Sequence, residues 1–365
     1  MPFHQIKQIL AALLCTLLVA CSVIDAPQAP APAPVIAVAS ADATVTPTPF
    51  QPLPPTPTYI PTAYPTPTQA ATPTLETSPT PAIIAGQVKT WADYPGPTIW
   101  PDIAVPGPAG LLAQPTGQVN ILLLGTDQRV DEVGFRTDTI LLLTLNPDLG
   151  TANITSFPRD LYVYIPGWTV QRLNTAMFYG GFATAALTFE YNFGVRPDYF
   201  VMVNLHTFPK VIDSLGGVDV NVAVALTDHR DGYGYYTVGP GIVHMDGETA
   251  LWYVRSRYST SDFDRGRRQQ EVLTACFQAL LNRDILNRAS QLYDLYIQNV
   301  STDMTFDQMA AFLPLVAKLR DTSRIHSYYI GPQQVMNWIN TTGAMVLLPI
   351  HDAVMEVMRQ ALNSP

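Results

Sequence analysis

Three short apolar runs set close together between Val119 and Asp160 constrain this chain more than any other feature. The first, over 119–124, stops at Gly125-Thr126-Asp127. The second, over 139–145, is preceded by Arg136-Thr137-Asp138, and the third, over 153–157, runs into Pro158-Arg159-Asp160. Short runs rich in branched side chains and bounded by turn residues read as buried strands. Their charged residues stand at the ends, where an α/β fold places its chemistry, because the sheet is rigid and its ends reach solvent. Asp127, Asp138 and the nearby arginines are therefore the first candidates for a site.

From residue 118 onward, strands and helices alternate. The pattern predicts a helix over 175–191, a strand over 199–204, a helix over 207–214 and a strand over 218–224. A loop rich in Gly and Tyr over 228–241 is expected next. Asp246 is the expected N-cap of a short helix over 247–253, which leads into Val254-Arg255-Ser256-Arg257. A long helix over 264–282 carries Val272, Leu273, Cys276, Phe277, Leu280 and Leu281 at core spacing. Further helices are expected over 285–299, 306–320 and 351–362, around an apolar strand near 344–348. The whole, 118–363, reads as one three-layer αβα domain with a mixed central sheet and helices on both faces.

The N-terminal part is different in kind. Lys7 precedes an apolar run over 9–20, too short to span a bilayer but of the length of an export signal's core. It ends in Leu18-Val19-Ala20-Cys21, which resembles a bacterial lipobox, so residues 1–20 are expected to be a signal peptide and Cys21 the lipidated residue. An ordinary signal peptide or an uncleaved anchor is the plainer alternative. All three put the remainder outside the cytoplasmic membrane; the lipobox reading anchors it there as a lipoprotein. Residues 21–90 are dominated by Pro, Thr and Ala. Such a segment cannot bury apolar area, so a disordered, stiff and solvated linker is expected. About 55 polyproline-like residues at about 3.1 Å each would reach on the order of 170 Å. Residues 91–117, with Trp91, Tyr94 and Trp100 among prolines and glycines, read as an ordered lead-in packed on the domain.

Composition narrows the function. The 365 residues carry a net charge of -9 and only 13% charged side chains, against 47% hydrophobic. A large core is affordable, and nucleic acid, which needs a basic face, is not an expected partner. The basic residues are nearly all arginine, with Lys7, Lys89, Lys210 and Lys318 the only lysines. Arginine's planar fork suits bidentate capture of phosphate or carboxylate. Cys15, Cys21 and Cys276 imply no disulfide framework, the histidines show no metal-ligand spacing, and neither G-x-S-x-G nor a Walker A sequence is present.

The densest cluster is Arg255, Arg257, Arg265, Arg267 and Arg268. If a helix starts near Asp264, its last three members lie where the macrodipole disfavours cations by roughly 0.3–1 kcal/mol each. Either Asp262, Asp264 and Glu271 neutralise them locally, or an anion binds there. Arg265, Arg268 and Gln269 share one helical face, and a helix start with arginines is a ready phosphate site. Asp127 and Asp138, each beside a strand, could meet at one Mg2+, with Mn2+ as the alternative, since Mg2+ takes one or two carboxylates plus substrate phosphates. An arginine about 4 Å from a phosphate gains on the order of 4 kcal/mol at an effective dielectric of 20. Several arginines and a metal could hold a diphosphate and stabilise its leaving group.

These segments, in order, resemble the motifs of the LytR-CpsA-Psr family, also named for a cell envelope-related transcriptional attenuator domain. The resemblance is carried by Asn120 to Asp127, Arg136-Thr137-Asp138-Thr139, Ser156 to Asp160, Arg172-Leu173-Asn174, Asp213 to Val218, Gly247 to Arg257 and Asp264 to Gln269. It implies an Mg2+-assisted transferase moving a glycopolymer from a polyprenyl-diphosphate carrier onto peptidoglycan. Carried over residue by residue, it gives Asp127 and Asp138 to the metal, and Arg136, Arg159, Arg255, Arg257, Arg265 and Arg268 to the diphosphate, with Gln269 beside them. Asp127, Asp138, Arg159, Arg257 and Arg268 are the expected catalytic set. In familiar members a transmembrane helix precedes the domain, whereas here a lipobox and linker stand in its place. A polyprenyl chain would need a dry tunnel, with Val201, Val203, Phe208, Val211, Ile212 and Leu215 as candidate lining or as plain core. Asp138, Asp160 and Asp264 are the candidates for general base. A glycan- or lipid-binding module without turnover, and a pyrophosphatase, are the competing readings; Asp262-Phe263-Asp264 also meets the common D-x-D pattern of glycosyltransferases.

Overall fold

The three apolar runs pair as neighbours in the middle of a sheet. The computed structural model describes residues 83–127, 135–280 and 300–364. A short strand within the expected linker, β1 (Ile83–Ile84), pairs with β2 (Gln114–Pro115), so residues 83–90 join the ordered lead-in rather than the linker. The runs follow as β3 (Val119–Thr126), β4 (Thr137–Asn146) and β5 (Thr151–Ser156). β3 lies antiparallel to β4 and parallel to β8 (Tyr199–Asn204), while β5 lies antiparallel to β4 and parallel to β14 (Ile325–Tyr329). With β13 (Val300–Thr302) at the edge, the order is β13-β8-β3-β4-β5-β14. The sheet is mixed, as expected.

Side chains alternate along each strand, so the two faces feed two cores. Ile121, Leu123, Leu141 and Ile154 join one buried cluster. On that side lie α2 (Phe208–Ser214), α3 (Gly247–Arg255) and the long helix α4 (Asp262–Leu280). Leu122, Leu124, Ile140 and Leu142 join the other, against α1 (Ala176–Phe193) and the C-terminal helix α7 (His351–Asn363). Three layers result, because a sheet apolar on both faces must be covered twice. Gln270 ties α4 to the sheet, its amide donating to the carbonyls of Ile154 at 3.2 Å and Tyr328 at 2.9 Å. Asp246 caps α3 as expected, accepting from the Thr249 amide at 2.8 Å. Cys276 is buried, and burial pushes its thiol up to about 12, which fits a small core hydrophobe.

Several expectations need correction. The segment 228–241 is not an irregular loop: β10 (Leu226–Arg230) and β11 (Gly234–Val238) form a hairpin, and β12 (Gly241–Met245) pairs with β9 (Val218–Val222). The Gly and Tyr residues hid a period-2 pattern in which Leu226, Asp228 and Arg230 turn inward. The expected helix over 306–320 divides into α5 (Phe306–Ala310) and α6 (Leu313–Lys318), with Pro314 in the first turn of the second. The helix α1 is interrupted at Gly180-Gly181, where Gly181 takes φ 64°, a conformation that favours glycine. The apolar strand near 344–348 pairs as β16 (Met345–Pro349) with β15 (Val335–Ile339), outside the central sheet. The signal peptide with Cys21, residues 21–82 of the linker and the helix over 285–299 lie outside the described residues. Among the described residues, no helix is long and apolar enough to cross a membrane.

The lead-in packs on the domain through a buried carboxylate. Glu190, 2% exposed, takes Lys89 at 3.1 Å, Arg196 at 2.9 Å and the Tyr94 hydroxyl at 3.1 Å. The Tyr94 ring meets Tyr191 edge-on at 4.9 Å. Burial works against the Glu190 charge, but Arg196 and Lys89 outweigh it and hold the carboxyl below its ordinary range. A depressed folded pKa gives a contribution that is complete at neutral pH and is lost as pH falls through the depressed value. Glu190→Gln is expected to cost about 1–3 kcal/mol at neutral pH. The gap to the parent should narrow in strong acid, as urea unfolding at the two pH values will show.

Candidate active site

The site starts from an irregularity between β3 and β4. Gly125 pairs with Thr139 and Thr126 with Thr137, so Asp138 is an extra residue bulged out of the ladder. A bulge of this kind re-aims a side chain at a sheet margin. Asp138 Oδ2 meets Arg159 Nη1 at 2.7 Å, from the turn after β5. Arg159 also approaches Asp160 at 3.4 Å, and Asp160 is held by Arg172 at 3.1 Å. From α4, Arg265 reaches the Asp138 carbonyl at 3.4 Å and pairs with Asp262 at 2.8 Å. Gln269, one turn on, donates to Thr139 Oγ1 at 2.8 Å. Gly266 eases this approach of α4: a Cβ there would stand 2.6 Å from Ser156 Oγ at the end of β5, which would have to turn away.

A cleft of about 980 Å³ opens over this group, within the range of small-molecule sites. Asp138, Arg159, Arg255, Arg257, Arg265 and Gln269 line it. Arg255 and Arg257 are exposed, and neither side chain makes an ion pair or hydrogen bond among the described residues. Arg265 and Arg267 are instead neutralised locally, by Asp262 and Glu271. Burial pulls Arg265 down and pushes Asp262 up, so the pair is held at a desolvation cost, which an anion in the cleft would offset at Arg265. Arg159 moves the other way, because Asp138 outweighs the burial.

Three expected site residues lie elsewhere. Asp127 and Arg136 are exposed at the adjoining ends of β3 and β4 and do not line the cleft. Arg268 is fully buried. It donates to Thr260 Oγ1 at 3.0 Å and to the Ser256 carbonyl, with its guanidinium 5.7 Å from the Tyr253 ring centroid. Its place is behind the cleft wall, pinning the loop that carries Arg257. Sharing a stripe of α4 with Arg265 and Gln269 does not bring Arg268 to the cleft, because Arg268 faces the core while the other two line the cleft. The hairpin adds lining residues that the sequence reading missed: Arg230, Tyr233 and Tyr235, with Trp252 and Tyr258 nearby. The alternation Leu226, Asp228, Arg230 was the available signal.

A divalent cation fits the chemistry of the carboxylates in part. Asp138 Oδ1 is buried without a hydrogen-bond partner, a lone pair that a cation would satisfy. Among the described residues no group of three or more His, Cys, Asp or Glu could hold a metal, so substrate oxygens would have to complete the shell, as Mg2+ accepts.

The fold is a mixed α/β sheet whose strand ends carry an arginine-lined cleft. The chain belongs to the LytR-CpsA-Psr family, whose model (LytR_cpsA_psr family) matches residues 102–361. The polyisoprenyl-teichoic acid–peptidoglycan teichoic acid transferase TagU of Oceanobacillus iheyensis is 33% identical over 249 residues, 62% of this chain and 76% of that protein. TagU of Bacillus subtilis is 34% identical over 193 residues, covering 52% of this chain and 61% of the relative, so that match spans about three fifths of its length. Among solved structures, TagT bound to LIIa-WTA has a TM-score of 0.53 at 26% identity, covering 67% of this chain and 90% of that one. The crystal structure of B. subtilis TagU has a TM-score of 0.51 at 27% identity, covering 68% and 98%.

Removing Arg268 tests its structural role. Arg268→Leu is expected to lower stability by about 2–4 kcal/mol by leaving the Ser256 carbonyl and Thr260 without their partner. Faster amide exchange over 256–260 would report the released loop, alongside a lower thermal midpoint.

Proposed function

We propose that this protein is an extracytoplasmic glycopolymer transferase, which moves a polyprenyl-diphosphate-linked glycan onto peptidoglycan. The observation that carries the reading is that Arg255 and Arg257, without an ion pair or hydrogen bond among the described residues, line one cleft with Asp138, Arg159 and Arg265. The family relatives act, by their names, on polyisoprenyl-linked teichoic acid and peptidoglycan, which supports the same classes of donor and acceptor here. Teichoic acid itself is not required by anything in the cleft.

In the reaction, an acceptor hydroxyl oxygen attacks the phosphorus that bears the glycan. The bond from that phosphorus to the bridging oxygen breaks, polyprenyl phosphate leaves, and the glycan stays joined to the acceptor through a phosphodiester. Arg255 and Arg257 bind the diphosphate, while Arg159 and Arg265 stabilise charge that develops on the leaving phosphate. Asp138 Oδ1 would hold Mg2+, which would neutralise the diphosphate when bound, with substrate oxygens completing the shell rather than Asp127, which lies outside the cleft lining. Of the three candidate bases, Asp160 is occupied by Arg172 and Arg159, and Asp264 by Ser261. Asp138 Oδ1 is left for either a cation or the acceptor's proton.

The carrier's hydrocarbon has a route under the cleft. An apolar cavity of about 100 Å³, bordered by Val203, Phe208 and Val211, shares Thr139, Leu205 and Gln269 with the cleft. A second, of about 80 Å³, includes Val201 and shares Leu123 and Leu273 with the first. Ile212 and Leu215 border neither and fill the core. Chain entry would widen these spaces by moving α4 against the sheet.

Asp138→Asn, Arg159→Ala and Arg257→Ala are expected to fold and to lose transfer from a polyprenyl-diphosphate oligosaccharide to peptidoglycan fragments by at least about a hundredfold, the scale of removing one charge-stabilising group. Parent activity abolished by EDTA and restored by Mg2+ assigns Asp138 to the metal; activity indifferent to EDTA assigns it to the proton. Carrier monophosphate released without acceptor, and no glycan transferred when acceptor is present, would favour the pyrophosphatase. For the anchor, Cys21→Ser is expected to abolish incorporation of labelled fatty acid and to release the protein from the membrane fraction.

A further inference from the structure

One wall of the cleft, which also carries Arg255 and Arg257, adds exposed aromatic surface to its arginines. It is made by the β10–β11 hairpin, the start of α3 and the loop after it. Three tyrosines stand on it almost bare: Tyr233 is 65% exposed, Tyr235 84% and Tyr258 90%. Large aromatic surface left in water carries a hydration cost, and three such side chains around one concave site mark a place that something covers.

The wall is also stiff. The Arg230 guanidinium lies 4.5 Å from the Tyr233 ring centroid and 4.7 Å from that of Tyr236, which holds both faces in place. Tyr236 in turn meets Trp252 edge-on at 5.2 Å, and Trp252 Nε1 donates to the His229 carbonyl at 2.9 Å. Asp228, 2% exposed, accepts from the Tyr258 amide at 3.1 Å, so the hairpin and the loop bearing Arg257 are one unit. Arg230 is thereby withdrawn from the anion-binding set. Two exposed carboxylates, Asp231 and Glu248, share the lining.

We infer that this wall is a saccharide subsite, in which Tyr233, Tyr235 and Tyr258 pack the C–H faces of pyranose rings and Asp231 and Glu248 accept from their hydroxyls. The diphosphate takes the guanidinium end of this wall, at Arg255 and Arg257, which leaves the tyrosines and the two carboxylates to a group that is neither anionic nor wholly apolar. Flat apolar faces edged by acceptors match a neutral sugar, which has both features on one ring. The inference rests on the transferase reading for the anion that the arginines take, but not for the ligand of the tyrosines. The sugar could belong to the acceptor strand or to the glycan of the donor, and the chemistry recognised is the same.

The test uses the full-length protein, with Tyr233→Ala/Tyr235→Ala and Tyr235→Ala as variants. Both side chains are exposed, and unchanged circular dichroism and thermal midpoint will confirm the fold. Four probes are titrated by calorimetry: peptidoglycan glycan strands stripped of stem peptides, the stem peptide alone, polyprenyl diphosphate without sugar, and the same lipid carrying an oligosaccharide. Losing two contact aromatics should weaken sugar binding about tenfold and leave the sugar-free lipid unchanged; Tyr235→Phe, which keeps the ring face, should bind as the parent does. Weakening toward stripped strands assigns the wall to the acceptor, and weakening toward the sugar-bearing lipid alone assigns it to the donor glycan. Parent-like affinity of the double variant for both sugars overturns the subsite, as does binding of the stem peptide alone that depends on these tyrosines. If the parent fails to bind sugar-free lipid while sugar binding remains tyrosine-dependent, the diphosphate reading fails and the subsite stands.

Discussion

The ion pair between Asp138 and Arg159 joins the pieces on which the rest of the site depends. Asp138 is available because a bulge ejects it from β4, and Arg159 because β5 ends in a proline turn directly beside it. Helix α4 closes the arrangement by bringing Arg265 to the Asp138 carbonyl, an approach that Gly266 eases against Ser156. Charges are concentrated here because the sheet interior cannot hold them. With both faces covered, the strand ends are where a carboxylate and a guanidinium can stay hydrated while being fixed by buried backbone.

Behind that pair, the arginines divide by burial. Arg268 has no exposed surface and serves as a strut between Tyr253, Ser256 and Thr260. Arg265 and Arg267 are paired with acids on their own helix, and Arg230 is stacked between tyrosines. Arg255 and Arg257 alone among these stand exposed without a described ion pair or hydrogen bond. A cluster dense in one charge therefore contains two side chains free to meet a ligand and several that build the wall around them. The desolvation felt by Arg265 and Asp262 lies between these extremes.

The fold was largely legible because it follows from periodicity. Runs apolar throughout became central strands, and Val272, Cys276 and Phe277 at core spacing faced the sheet. Elements with weaker apolar signals were harder to read. β14, Ile-His-Ser-Tyr-Tyr, is an edge strand without a hydrophobic run, and β10–β11 reads as a Gly/Tyr loop because its exposed face is aromatic rather than charged. The interruption at Gly180-Gly181 and the division at Pro314 were written as one or two residues inside otherwise helical patterns.

The sequence by itself determined the fold class, the order of the central strands' charged ends and the family, since these rest on hydrophobic pattern and on motifs contiguous in the chain. Only the tertiary structure decided which of the motif residues share a cleft. Asp138 and Arg159 stand some hundred residues before Arg257 and Arg265 and meet them through a bulge and a close helix approach, whereas Asp127 and Arg136, beside the same strand ends, are exposed and do not line the cleft. Spacing along a chain fixes the face of one element; which face meets which neighbour depends on packing between elements, and that is settled only when the whole core is assembled.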